Sequence, residues 1–219
     1  METRFRRIHD ANFWDGAESR SGPGSSLAET QVIRRELARL VREREIHSVL
    51  DIPCGDFNWI KEVPLSVDYI GADVVEEIVQ RNTATYGSEK RRFIRLDITA
   101  SSLPRVDLVL CRDLLGHLSH SHAAQSLLNI AASGSTFLLA TTFPERVAND
   151  DIRTGDWRPL NLCAMPFSLP PPVEVISEEL PDPLFADKSL GLWHVSDVPV
   201  DALRLVATAH RTRRSANGA

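Results

Sequence analysis

The stretch Val49-Leu50-Asp51-Ile52-Pro53-Cys54-Gly55-Asp56-Phe57 reads as a buried β-strand that leads through a tight glycine turn towards a helix. In a parallel sheet, such a turn lies at the carboxyl end of a central strand, where nucleotide-like ligands bind. A loop that cradles pyrophosphate needs several glycines and a helix N-terminus free of negative charge. This turn has one glycine, Gly55, and two acids, Asp51 and Asp56, which would repel a phosphate. The turn therefore favours a ligand that carries an ammonium and a sulfonium.

The composition is that of an ordinary soluble domain. The chain has 219 residues, of which 42% are hydrophobic and 25% charged, and its net charge of -5 predicts no nucleic-acid partner. No apolar run approaches the roughly 20 residues of a membrane span, and the N-terminus lacks the apolar core of a secretory signal. Three widely spaced cysteines, Cys54, Cys111 and Cys163, fit a reducing compartment. We expect a cytoplasmic monomer or homodimer with no membrane partner.

Apolar runs and amphipathic segments alternate along the first two thirds of the chain. The runs predict strands at residues 48–52, 69–73, 92–96, 107–111 and 136–141. Strands that alternate with helices indicate an α/β fold with a doubly wound, mostly parallel sheet and helices on both faces. Two later runs, 190–195 and 203–209, predict a closing antiparallel hairpin.

Helix signals support this order. Ser26 and Glu29 have capping-box spacing, and the helix that follows has an apolar face formed by Ile33, Leu37, Leu40 and Val41. A second helix is predicted after the 69–73 strand and a third at 121–132. Gly134 stands where the C-terminal cap of the third helix belongs.

We predict one domain, 1–219, with three irregular parts. Residues 1–26 are a Gly/Ser-rich arm, and 210–219 a flexible tail. Eight of the 13 prolines lie in 142–190, which excludes long helices and central strands there and indicates an insertion on the substrate side. The arm is expected to act as a lid over a bound ligand through Trp14, Ser21 and Ser25.

Two further acids end predicted strands. Asp73 lies 22 positions after Asp51, where this architecture grips a ribose diol. Asp97 ends the third strand, where its carboxylate could accept from an adenine amino group. Asp73 could instead be an ordinary surface acid, and Asp97 a turn cap. With the acidic turn, these residues predict S-adenosylmethionine (SAM), a nucleoside that carries an ammonium and a sulfonium.

Four segments resemble the motifs of class I SAM-dependent methyltransferases: VLDIPCGDF, YIGADVV, RLDIT and DLVLCRDLLGHLS. The resemblance covers about residues 47–141 and implies a seven-stranded sheet whose last two strands form the hairpin. The family usually has a second glycine where Pro53 or Phe57 stands here. The cofactor-binding residues that the motifs imply are Asp51, Pro53, Cys54, Gly55, Asp56, Asp73, Val74, Asp97, Ile98, Cys111 and Arg112.

His117 is the candidate catalytic base, because methyl transfer to a hydroxyl or an ammonium requires a group that takes the proton. It lies one helical turn after Asp113, which would orient it or bind SAM. A structural role for His117 remains open. The spacing of His117, His120 and His122 matches no standard ligand pattern, so we predict no metal site.

The segment NDDIRTGDWRPLN, 149–161, offers many hydrogen-bonding groups and one flat ring. It is a candidate wall for a small polar acceptor. The residues expected to bind the acceptor are Asn149, Arg153, Trp157, Arg158 and Asn161. Internal salt bridges that hold an irregular loop together are the alternative.

The resulting hypothesis is a SAM-dependent methyltransferase that acts on a small polar molecule, with O-directed transfer favoured over N-directed. A peptide or protein acceptor is the second possibility. A catalytically silent SAM-binding partner subunit is the third.

Overall fold

The computed structural model describes residues 1–216, and the side chains of residues 1–209. Its strands are β1 Ser48–Asp51, β2 Asp68–Asp73, β3 Arg91–Arg95, β4 Leu108–Cys111, β5 Phe137–Thr142, β6 Glu174–Ser177 and β7 Ser189–His194. Its α-helices are α1 Glu2–Asp10, α2 Gln31–Glu43, α3 Glu76–Tyr86, α4 His120–Ala132 and α5 Val200–Ala216.

The strands form one seven-stranded sheet in the order β3-β2-β1-β4-β5-β7-β6. Neighbours from β3 to β5 pair in parallel, whereas β7 runs antiparallel to both β5 and β6. This confirms the predicted fold class. The direction of winding reverses between β1 and β4, so their carboxyl ends, at Asp51 and Cys111, flank the point where such sheets bind ligands.

Both faces of the sheet are buried, which explains the continuous apolar runs of its central strands. In β4, Val109 and Cys111 belong to one hydrophobic cluster, and Leu108 and Leu110 belong to the other. Helices α4 and α5 pack together and bury residues in the first cluster, whereas α2 buries residues in the second. The core thus fixes the strand ends from both sides.

The closing hairpin is correct in kind but wrong in one strand. Residues 190–195 fall largely in β7, but 203–209 lie within α5. Leu203 is buried and Val206 and Ala207 pack against the same cluster, so the run has helical rather than strand spacing. The partner of β7 is β6, which lies at the sheet edge. It was not predicted, because it belongs to the proline-rich segment and closely follows Pro170–Pro172.

The N-terminal arm is also more regular than predicted. Helix α1 occupies its first part and buries Phe5 and Ile8 in the core. The Ser26 hydroxyl accepts the Glu29 N–H at 3.3 Å, but this closes a turn, and α2 begins only at Gln31.

Helix ends and the tail complete the comparison. Gly134 follows the last turn of α4 with a φ of +67°, as its predicted capping role requires. Helix α5 runs to Ala216. The flexible tail expected at 210–219 stays a prediction, because residues 217–219 and the side chains from residue 210 onward lie outside the described part.

Within the described residues, no helix combines the length and apolar character that crossing a bilayer demands.

Candidate active site

A cavity of about 540 Å³ opens at the carboxyl ends of β1, β2 and β4. This volume is within the usual range for a small-molecule site. Fifteen predicted site residues line it: Trp14, Ser21, Ser25, Asp51, Pro53, Cys54, Gly55, Asp56, Asp73, Val74, Ile98, Arg112, Asp113, His117 and Trp157. Six predicted site residues are not among its lining: Asp97, Cys111, Asn149, Arg153, Arg158 and Asn161.

Two buried carboxylates face this cavity from neighbouring strands. Asp51 accepts a hydrogen bond from the Tyr69 hydroxyl, and burial raises its pKa to about 7. Asp73 accepts from the Val75 N–H at 2.9 Å and from the Gly55 N–H at 3.3 Å, and burial raises its pKa to about 6. Buried acids lose hydration, so a cation or a pair of hydroxyl donors in the cavity would favour their ionised forms.

Asp56 was predicted to contact the cofactor, but in the structure its carboxylate accepts hydrogen bonds from the N-terminal arm. The Ser19 hydroxyl donates to it at 2.9 Å, the Arg20 N–H at 3.0 Å and the Ser21 hydroxyl at 3.3 Å. The Ser21 hydroxyl also sits on Gly55, where a Cβ would lie 2.3 Å from it. Asp56 and the bare Gly55 backbone therefore dock the arm over the turn.

Two of the predicted cofactor residues point elsewhere. Asp97 accepts from the Thr99 N–H at 2.9 Å and the Thr99 hydroxyl at 2.6 Å, so it acts as a turn cap. Cys111 is fully buried in the core beneath the cavity, and burial raises the pKa of its thiol well above its usual range. Only Ile98 of this group reaches the cavity.

A buried ionic network closes one side of the cavity. Arg112 binds both carboxylate oxygens of Glu178, at 3.2 and 2.7 Å, and Lys188 binds Asp113 at 2.7 Å. Burial alone would raise the pKa of Asp113, but Arg112 and Lys188 outweigh burial and hold that pKa well below its usual range. Glu178 and Lys188 were missed in the sequence, because nothing local distinguishes them from surface residues.

His117 is oriented by a carbonyl group and not by Asp113, which corrects the predicted pair. Its Nδ1 lies 2.9 Å from the carbonyl oxygen of Asp156. Because a carbonyl can only accept, Nδ1 carries the proton and Nε2 keeps a lone pair. Burial lowers the pKa of His117, so the ring is neutral near pH 7. The Trp14 ring packs beside it, with ring centroids 4.9 Å apart.

Most residues of the predicted acceptor wall lie outside the lining of the cavity. Arg158 is buried and its guanidinium donates only to backbone carbonyl groups, those of Leu115, Gly116, Leu118 and Asp150. Asn149 and Asn161 bond to the backbone of the same loop. Arg153 is exposed outside the cavity lining. Arg158, Asn149 and Asn161 hold the loop together through bonds to backbone groups, whereas the alternative expected from the sequence was internal salt bridges. Of the five residues, Trp157 alone lines the cavity.

Across the residues that the structure describes, no three His, Cys, Asp or Glu side chains converge as they would around a metal ion.

No protein-family model matches this chain, and no curated protein matches it in sequence. Solved structures do. The N-methyltransferase NodS from Bradyrhizobium japonicum WM9 matches with a TM-score of 0.59 and 14% identity, over 76% of this chain and 96% of that one. Human N-acetylserotonin methyltransferase, solved in complex with SAM, matches with a TM-score of 0.56 and 13% identity, over 75% of this chain and 52% of that one. The chain has the class I SAM-dependent methyltransferase fold.

The fold does not by itself fix the reaction. The (4+2)-cyclase SpnF also matches, with a TM-score of 0.50 and 20% identity, over 67% of this chain and 62% of that one. The function has to be argued from the cavity and its side chains.

Proposed function

We propose that this protein is a SAM-dependent methyltransferase that transfers a methyl group to an oxygen of a small molecule. The observation that carries the proposal is the pair of buried acids, Asp51 and Asp73, in an open cavity at the switch point of this fold. A cofactor with positive charge and a ribose diol supplies the partners that these acids lack. A phosphate-rich cofactor would instead add negative charge beside them.

The lining divides into parts that suit the parts of SAM. Asp51 would hold the ammonium of the amino-acid end, and Asp73 the ribose hydroxyls. Val74, Leu96 and Ile98 provide apolar surface for the adenine. SAM, when bound, supplies the electrophilic methyl group. The protein must then bind the acceptor in line, exclude water and remove a proton.

His117 is the proposed base. Its Nδ1 proton is held by the Asp156 carbonyl, so the lone pair of Nε2 can take a proton from an acceptor hydroxyl. The lowered pKa keeps this nitrogen unprotonated at neutral pH. A neutral imidazole can take a proton from a hydroxyl or from an ammonium, so this base fits both kinds of transfer. The preference for oxygen rests on the mostly apolar acceptor end of the cavity, which suits a neutral hydroxyl better than a charged ammonium.

The acceptor end has aromatic walls in place of the polar wall that the sequence predicted. The half-buried rings of Trp14 and Phe185 and the exposed ring of Trp157 border the cavity near His117. The Trp157 and Phe185 centroids lie 5.4 Å apart. Lys188 and Asp113 neutralise each other at the same end. A planar, mostly apolar molecule with one hydroxyl suits these walls better than a strongly charged one.

Calorimetric titration tests the cofactor assignment. The purified chain should bind SAM and S-adenosylhomocysteine but not NAD. Replacing Asp73 with Asn should weaken both cofactors by about 1–3 kcal/mol, since ribose hydroxyls would lose a charged acceptor. Tight NAD binding with no heat from SAM would refute the assignment.

Release of S-adenosylhomocysteine from a panel of hydroxylated aromatic molecules tests the chemistry. His117→Gln should lower kcat by about 10²–10⁴ while SAM affinity stays unchanged. His47→Gln, at an exposed position far along the chain, is the matched control. SAM binding with no turnover of any acceptor would favour the silent-subunit alternative. An unchanged rate in the His117 variant would rule out His117 as the catalytic base.

A further inference from the structure

We propose that Arg20 binds the carboxylate of the cofactor's amino-acid end, so that the N-terminal arm forms part of the cofactor site. This rests on the proposed function, because it assumes that SAM occupies the cavity. Arg20 lies in the arm segment Ser19–Ser21, which Asp56 fixes above the glycine turn. It was not among the residues predicted from the sequence.

The glycine turn offers no free backbone amide to a carboxylate. Pro53 has no N–H, and every other backbone N–H from Ile52 to Phe57 already has an acceptor. Each N–H donates as follows: Ile52 to the Leu110 carbonyl (2.9 Å), Cys54 to the Ala72 carbonyl (2.8 Å), Gly55 to Asp73 Oδ2 (3.3 Å), Asp56 to Ser21 Oγ (3.2 Å) and Phe57 to the Cys54 carbonyl (3.2 Å). A carboxylate at this turn therefore needs a side-chain partner.

The charges around the glycine turn also disfavour a carboxylate. Asp51, Asp56 and Asp73 surround the turn, and an incoming carboxylate would be repelled by them unless a cation lay close by. The site attracts the ammonium of the amino-acid end for the same reason that it repels the carboxylate. Binding a zwitterion at this turn thus requires one positive group next to the acids.

Other cationic side chains that line the cavity already have acidic partners. Arg112 is committed to Glu178, and Lys188 to Asp113. His9 lies near Asp73, at the end assigned to the ribose, and its ring contacts Asp10. Within the described part of the chain, the guanidinium of Arg20 forms no hydrogen bond or ion pair, and the residue is exposed. Its planar fork suits a carboxylate.

The position of Arg20 follows from the docking of the arm. Its own N–H donates to Asp56 at 3.0 Å, and the neighbouring Ser21 rests on Gly55. The side chain of Arg20 therefore starts from a backbone that is attached to the turn itself. A carboxylate bound by Arg20 would hold the arm closed, which couples cofactor binding to the lid.

The test compares two ligands that differ in the amino-acid end. S-adenosylhomocysteine carries the carboxylate, whereas 5′-methylthioadenosine keeps the adenosine and the thioether without it. Calorimetry on the full chain should show that Arg20→Gln weakens S-adenosylhomocysteine by about 10- to 100-fold, the effect of losing hydrogen bonds to a charged group. The same variant should change 5′-methylthioadenosine affinity by less than about twofold. Arg20→Lys should recover part of the loss, and Arg153→Gln should behave as wild type.

The outcomes separate the two proposals. Equal weakening of both ligands would mean that Arg20 only holds the arm in place, and unchanged binding of both would mean that it contacts neither; each result overturns the inference. If wild type binds S-adenosylhomocysteine but Arg20→Gln changes the affinities for the two ligands equally, the proposed function stands and the role of Arg20 fails. If wild type binds neither ligand, the proposed function itself fails.

Discussion

At the scale of single residues, Asp51 is the acid of the proposed cofactor site whose charge responds most directly to pH near neutrality. Burial at the end of β1 disfavours its charged form, the Tyr69 hydroxyl and Arg112 favour it, and nearby Asp73 opposes it. The net effect is a pKa of about 7, so its charge changes close to physiological pH. A ligand that brings positive charge to this carboxylate must displace a proton from it below that pH.

SAM affinity should therefore rise between pH 5.5 and 7.5. Below the pKa of about 7 the free protein holds Asp51 protonated, and binding a cation releases that proton, so affinity gains up to roughly tenfold per pH unit. Asp73, with a pKa of about 6, adds a step of the same sign. Calorimetry at a series of pH values measures this.

Two variants sharpen this pH test. Asp51→Asn should bind SAM more weakly and with a flatter pH profile, whereas Asp201→Asn, on the exposed first turn of α5, should match wild type. Affinity that falls as pH rises would contradict the role of Asp51.

At the scale of elements, the loop after β5 is held by one buried arginine. Arg158 donates to carbonyl groups of its own loop and of the turn after β4, at 2.9 to 3.1 Å. The loop in turn presents the Asp156 carbonyl to His117. Irregular backbone needs such donors, because a buried carbonyl without a partner is costly. Arg158 thus positions the candidate base from a distance and leaves the acceptor to other residues.

Arg158→Gln should lower the free energy of unfolding by about 2–3 kcal/mol, because several buried carbonyls lose a charged donor. Urea denaturation measures the loss. The exposed Arg153→Gln change in the same loop should stay within about 0.5 kcal/mol. If the Arg158 variant has normal stability but a raised KM, Arg158 binds the acceptor, as the sequence predicted, and does not act mainly by holding the loop.

At the scale of the whole molecule, the buried ionic network joins segments far apart in the sequence. Arg112 and Asp113 follow β4, Glu178 follows β6, and Lys188 precedes β7. The network therefore fastens the antiparallel edge of the sheet to its parallel centre. Ion pairs of this kind gain little over apolar packing, but removing one partner leaves an uncompensated buried charge.

Glu178→Ala should cost about 3–5 kcal/mol of folding free energy, since Arg112 and Lys188 would lose their shared carboxylate. The thermal midpoint should fall accordingly in calorimetry. Glu179→Ala, the exposed neighbour, provides the control. Equal stability of the two variants would show that the network carries no such weight.

The sequence alone determined the features that depend on local patterns. The parallel strands β1, β2, β4 and β5 are visible as apolar runs because both faces of the sheet are buried there, whereas the edge strand β3 is only partly buried. The turn at Gly55, with Asp51 and Asp73 at neighbouring strand ends, follows from chain order, since parallel strands end at one edge. The 3.6-residue period identified α2, α3 and α4, but the prediction took residues 203–209 of α5 for a strand.

The tertiary structure decided what depends on partners distant in sequence. Strand β6 is an edge strand among prolines, and its pairing with β7, not its composition, makes it a strand. The sequence predicted acceptor binding for Arg158 and gave no signal for Lys188, yet the fold encloses them with carbonyls and carboxylates from other segments. Among the described residues that line the cavity, Arg20 keeps a free guanidinium, whereas Arg112 and Lys188 pair with acids from other segments. A local pattern records the period of an element, but which charges remain free is settled only when all the elements have packed.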